Sequence, residues 1–157
     1  MTLKCNSARH FDESKNNIFN EDLHDKDPSV FYILGWTFKT IAMKIISLSQ
    51  VEKNEVRMDG AYKAWKQVPL SREDGAPVYA YRVFTLEPGG HTPYHQHPYE
   101  HMNYIIQGTG ALVNVYGEEQ PIEAGDFALV LPDEKHRYKN KGDLPLILIC
   151  GVPKEFE

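Results

Sequence analysis

Residues 89–108 read GGHTPYHQHPYEHMNYIIQG, and four of the chain's seven histidines fall within them. His95 and His97 are two apart, which on an extended strand sets both imidazoles on one face. His101 has the same parity and returns to that face after a local turn at Pro98. Three neutral imidazoles converging on a point pack poorly but ligate well, because each offers one lone pair to a borderline cation. The plain alternative is a solvated, histidine-rich loop.

The surrounding chain favours a β framework. Of 21 glycines and prolines, 19 lie from Gly60 onward, about one every five residues. Between them stand short runs rich in Val, Ile, Tyr, Phe and Leu: Val78–Leu86, Tyr104–Ile106, Ala111–Tyr116, Phe127–Leu131 and Leu144–Cys150. Such spacing predicts an all-β sandwich or barrel. After Met58, Pro or Gly cuts every candidate helix. Met102, Tyr104 and Ile106 share one parity and Asn103 and Ile105 the other, while Phe127, Leu129 and Leu131 alternate with Ala128 and Val130. Strands apolar on both faces need cover on both sides. A homodimer supplies that cover most economically, and the segment Val30–Phe38 is its rival.

Composition bounds the function classes. The 157 residues carry 17 Lys+Arg against 22 Asp+Glu, a net charge of −5, so no basic excess exists to neutralise nucleic-acid phosphates. Residues 29–49 are the one candidate membrane segment. Lys39 and Lys44 interrupt them, and a spanning helix needs about 20 mostly apolar residues. Cys5 and Cys150 form neither a CxxC pair nor a disulfide framework, which suits a reducing cytoplasm. Residues 1–29 are polar without sustained period and read as a mobile tail. Met43 makes a plausible domain start. The expected organisation is a largely flexible extension over 1–42 and a β-barrel domain over 43–157.

The stretch quoted first resembles the first motif of the cupin superfamily: Gly, five residues, His-x-His, three or four residues, Glu, six residues, Gly. Gly89, His95, His97 and Gly108 fall at matching positions, and His101 stands where Glu is usual. The second motif is matched by Gly125, by His136 eleven residues later, and by Asn140. Its usual Pro-x-Gly is altered. Leu131-Pro132-Asp133 puts Asp133 at the glycine position, where Asp tolerates a left-handed backbone better than most residues.

The resemblance, to small single-domain cupins including oxalate-decarboxylase-like ones, implies a jelly-roll barrel. It also implies one divalent metal (Mn, Fe, Ni, Cu or Zn) held by His95, His97, His101 and His136, the first three on one strand and its approach. Four neutral ligands keep the full dipositive charge, so a small anionic ligand is favoured. Arg82, Tyr94, Tyr99, Asn103 and Tyr138 are candidate pocket-lining residues. His91 reads as a rim or turn residue, and Glu100 and Gln96 as facing away. The expected function is a metalloenzyme acting on a small carboxylate or oxygenated molecule, of dioxygenase, decarboxylase or isomerase type. A non-catalytic binding or sensing barrel and a structural zinc barrel are the other two classes. No general acid or base stands out.

Overall fold

Frequent turns leave room only for short extended runs, and the protein is built almost wholly from them. The computed structural model describes residues 30–33, 36–39 and 43–157. Two units are distinguished, residues 1–43 and 44–157. In the first, β1 (Val30–Ile33) and β2 (Trp36–Lys39) form an antiparallel hairpin. The tail expected over 1–29 and Cys5 lie outside the described residues.

The second unit carries β3 (Asn54–Glu55), β4 (Tyr62–Leu70), β5 (Tyr79–His91), β6 (His101–Gln107), β7 (Thr109–Val113), β8 (Glu119–Glu123), β9 (Phe127–Val130), β10 (Arg137–Asn140) and β11 (Leu146–Pro153). All pair antiparallel in one curled, nine-stranded sheet ordered β8-β7-β10-β5-β11-β6-β9, with β4 on β5 and β3 on β4. The class is all-β and the architecture a jelly-roll barrel, as read from the sequence. Its helical residues are short 3-10 turns such as Lys154–Phe156. Among the described residues no helix is long and apolar enough to cross a membrane.

Four strands of this unit went unread in the sequence: β3 (NE), β4 (YKAWKQVPL), β8 (EQPIE) and β10 (RYKN). Lys, Arg, Glu, Gln or Asn recurs along each, so hydrophobicity alone does not mark them. Neighbours in the sheet, not side chains, supply their extended form.

Register stacks the interior in rows. Leu146 of β11 faces Leu86 of β5; Leu148 lies between Phe84 of β5 and Ile105 of β6; Cys150 lies between Arg82 and Asn103. The first two rows form the apolar floor with Ala64, Ile122 and Tyr138. The third row is polar. Along β6, His101, Asn103 and Ile105 point inward, and Met102, Tyr104 and Ile106 point out. Gly108 turns β6 into β7 at φ +86°, and a Cβ there would stand 2.6 Å from the Pro145 carbonyl oxygen. Both the turn and the close approach therefore demand glycine.

Asp133 does adopt the left-handed backbone expected of it, at φ +64°. Its N–H donates to the His97 carbonyl at 2.8 Å, tying the β9–β10 turn to the histidine loop. Asp133→Val is expected to cost about 1–2 kcal/mol, since a β-branched residue is strained there. Asp133→Gly is expected to stay within about 0.5 kcal/mol of the parent, as its lost strain offsets its added chain entropy. Denaturant unfolding of both variants measures the difference.

Candidate metal centre

The histidines converge by a route the sequence did not suggest. Residues 92–100 form a loop between β5 and β6, not a strand; His95 makes an isolated bridge with His136, His97 lies in the loop, and His101 begins β6. The bridge runs both ways in the main chain, His95 N–H to His136 O at 3.1 Å and His136 N–H to His95 O at 2.8 Å. The loop is thus held to the strand end before β10. The rings of His95, His97 and His136 stand 5.0–5.4 Å apart, and one nitrogen from each lies within 4.8 Å of the others. These three residues can hold a metal ion.

Their second nitrogens fix how. His95 Nδ1 lies 3.0 Å from Pro93 O, His97 Nδ1 2.6 Å from Tyr99 O, and His136 Nδ1 2.8 Å from Glu134 O. A carbonyl only accepts, so each ring donates its Nδ1–H and is left with a lone pair on Nε2. His97 Nε2 is buried without any hydrogen-bond partner among the described residues. An orphaned acceptor flanked by two similar rings is what a divalent transition metal would satisfy, and the donor set fits that group.

His101 stands apart from this group. Its ring lies 4.0 Å from that of His97, but its Nε2 is 3.0 Å from Arg82 Nη2. A guanidinium only donates, so Arg82 occupies the lone pair that ligation would use. The same Nη2 donates to Cys150 Sγ at 3.1 Å, and Nη1 donates to Phe156 O at 3.3 Å. Tyr99 stacks on His97 at 3.9 Å and on Phe156 at 4.0 Å, which backs the His97 ring with two aromatic planes.

Burial disfavours the charged imidazoles. It is the first cause, and the Arg82 charge the second, of a His101 pKa lowered to about 2. Burial also lowers His136 to about 4 and lowers His97. Neutral rings are what ligation requires. A consequence follows for the metal-free protein. Near pH 6.5 and below, the unfolded chain takes up protons on these histidines and the folded one does not, so stability falls as pH drops from about 6.5 toward 4. Unfolding midpoints of metal-free protein at pH 7.5, 6, 5 and 4.5 should decline in that order, and a flat profile would remove the claim that these rings stay neutral when folded.

A cavity of about 300 Å³ opens beside the histidines. His95, His101 and His136 line it with Arg82, Asn103, Tyr99 and Tyr138, and apolar Val56, Met58, Phe84 and Leu148 complete the lining. Tyr94 does not join them: its hydroxyl donates to Asn114 O at 2.7 Å, and Lys135 and Arg137 lie over its ring. Glu100 accepts from Tyr79 O–H at 2.7 Å, Gln96 is exposed, and His91 ends β5 outside the ligand group. Thr92, Lys66 and Cys150 also line the cavity and were not singled out. Lys66 lies on β4, whose strand character was missed, and Cys150 becomes meaningful only through its register with Arg82 and Asn103.

Comparison with known proteins bears on the fold. Residues 82–152 match the family model described as Cupin domain. Gentisate 1,2 dioxygenase 1 of Aquipseudomonas alcaligenes is 32% identical over 65 residues, covering 41% of this chain and 19% of that protein. Gentisate 1,2-dioxygenase of Ralstonia sp is 27% identical over 111 residues, covering 71% of this chain and 31% of that protein. The matched stretches thus span less than a third of those relatives. Among solved structures, the polyketide cyclase RemF from Streptomyces resistomycificus superposes with a TM-score of 0.67 at 25% identity, covering 71% of this chain and 80% of that one. A predicted oxalate decarboxylase from Thermotoga maritima gives 0.64 at 23%, covering 71% and 99%.

Proposed function

From the match of residues 82–152 to the family model described as Cupin domain, we propose that this chain is a cupin and a metal-dependent enzyme of dioxygenase type acting on a small hydroxylated aromatic acid. The observation that carries the reading is the trio His95, His97 and His136, each locked by a backbone carbonyl with Nε2 left free, beside a cavity lined in part by apolar residues. A divalent metal bound there would supply Lewis-acid polarisation or redox chemistry toward O₂. The protein's residues do the rest. The three imidazoles orient the site, Phe84 and Leu148 exclude water and receive the ring, and Arg82 and Lys66 make the wall positive. Burial, then the charge of Arg82, lowers the Lys66 pKa, as expected beside a second cation. Neutral ligands and cationic walls together favour an anion. His101, the fourth ligand of the sequence reading, would join the metal only by giving up its bond from Arg82.

The test is aerobic incubation of Fe(II)-loaded protein with gentisate while O₂ and CO₂ are both followed. Uptake of about one O₂ per substrate without CO₂ release is expected. CO₂ release without O₂ uptake would replace the dioxygenase reading with a decarboxylase. Metal at full occupancy with neither change would move the protein to the non-catalytic binding class.

We further propose that the chain pairs with a second copy of itself through the outer face of β6 and β9. Met102 faces Leu129 and Tyr104 faces Phe127 in register, the latter rings 4.7 Å apart, and Phe127 is 82% and Leu129 60% exposed. β9 ends the sheet order, so an edge adjoins this apolar face. Light scattering should give a dimer that Phe127→Glu converts to monomer. A monomeric parent would sink the proposal.

A further inference from the structure

Two asparagines of equal burial, Asn103 and Asn140, each 3% exposed, are treated in opposite ways. Asn140 is fully used: Nδ2 donates to Leu86 O at 2.8 Å and to Leu144 O at 2.9 Å, and Oδ1 accepts from Gly142 N–H at 2.9 Å. Asn103 is not used at all, since among the described residues neither Nδ2 nor Oδ1 has a partner. Among the same residues the Tyr138 hydroxyl, also in a residue 3% exposed, has none, and neither does Arg82 Nε. All three residues line the one cavity that His95 and His136 also line. Buried polar groups are nearly always paired, so three orphans around one cavity ask for a common explanation.

The fold does not require polarity there. The next row of the same strands is Phe84, Leu148 and Ile105, so an aliphatic side chain would suit position 103. Asn103 lies in register with Cys150, which also faces Arg82, while Tyr138 shares the inward parity of His136 two residues before it. A carboxamide offers both donors and an acceptor, and a phenol offers one of each, which together match a hydroxyl group.

We propose that Asn103 and Tyr138 form a specificity subsite that recognises a ring hydroxyl of the ligand remote from its metal-binding end. This rests on the reading of His95, His97 and His136 as the metal centre beside the cavity. The ligand class is a planar aromatic acid with a second oxygen substituent, its ring against Phe84 and Leu148, and Arg82 Nε is a further donor to that oxygen.

The test compares two probes by anaerobic titration calorimetry on the Zn(II)-loaded full chain: 2,5-dihydroxybenzoate, and 2-hydroxybenzoate, which lacks one hydroxyl. The parent is expected to prefer the dihydroxy probe by about tenfold or more, as sites built to bond a hydroxyl do. Tyr138→Phe and Asn103→Leu should reduce the preference to about twofold or less, because the partner for the extra hydroxyl is gone. Their ligand-free unfolding midpoints should equal or exceed the parent's, since an unpaired buried group has been removed. Lowered midpoints with an unchanged preference would overturn the subsite and assign both groups to internal structure or ordered water. Should neither probe bind, the aromatic-acid reading fails by itself, and the midpoints decide the subsite: unchanged or raised supports it, lowered overturns it. Tyr138→Phe removes a single oxygen, so the test survives even if Asn103→Leu fails to fold.

Discussion

His136→Ala is expected to strip the protein of metal. Protein purified without a metal-affinity tag and dialysed should fall from about one metal per chain to background. The fold should persist, because both hydrogen bonds of the His95–His136 bridge are main-chain bonds that alanine retains. Only the imidazole leaves, and with it one of three nitrogens lying within 4.8 Å of each other. His95→Ala should behave alike. The loss should exceed the roughly 10–100-fold in affinity typical of removing an outer partner of a ligand. His101→Ala separates two arrangements: with Arg82 holding its Nε2, metal should stay near full occupancy, whereas a loss as deep as that of His136→Ala would establish a four-histidine site. Metal retained at full occupancy in both His95→Ala and His136→Ala would end the ligand assignment.

Asn140→Leu should destabilise the barrel by about 3 kcal/mol, the largest effect expected from a single polar side chain here. The substitution leaves the carbonyls of Leu86 and Leu144 and the N–H of Gly142 without their partner, each at about 1–3 kcal/mol less whatever water regains. Asn140 joins the end of β10 and the turn before β11 to β5, so no single neighbour can compensate. Urea unfolding with an unchanged slope and a lower midpoint checks it. A loss below about 1 kcal/mol would mean the freed groups reach solvent, and would weaken the contrast with Asn103.

What could be read from residues alone was whatever depends on local pattern. Turn residues bound the runs that became β5, β6, β9 and β11, although the ends differ by several residues, as for Val78–Leu86 against Tyr79–His91. Period two separated Met102, Tyr104 and Ile106 from Asn103 and Ile105, and the structure places the first set outside and the second inside. Asp133 was legible through the glycine position of the motif it resembles, since few residues other than glycine accept a positive φ. The polar strands β4, β8 and β10 were not legible, since their extended form comes from partners distant in sequence.

The same division runs through the site. Spacing identified His95, His97 and His101, because metal ligation needs several neutral imidazoles and few other roles gather so many, and the motif resemblance added His136. Spacing placed the first three on a strand, but a bridge between His95 and His136 brings them together from a loop and a strand end. Which nitrogen each ring presents depends on carbonyls at Pro93, Tyr99 and Glu134, and no spacing rule encodes that. The separation of His101 from the other three depends on Arg82, nineteen positions earlier and brought near by a register shared through β11. Likewise, Asn103 and Asn140 are the same residue in the sequence and opposites in the barrel. The sequence by itself determined an all-β domain and three of the ligand candidates, His95, His97 and His101, because alternation and turn chemistry act over a few residues. The barrel and His136 came with the resemblance to the cupin motifs. Only the tertiary structure decided which lone pairs are free and which polar groups lack partners, because hydrogen bonds are completed by groups that folding alone brings within 3 Å.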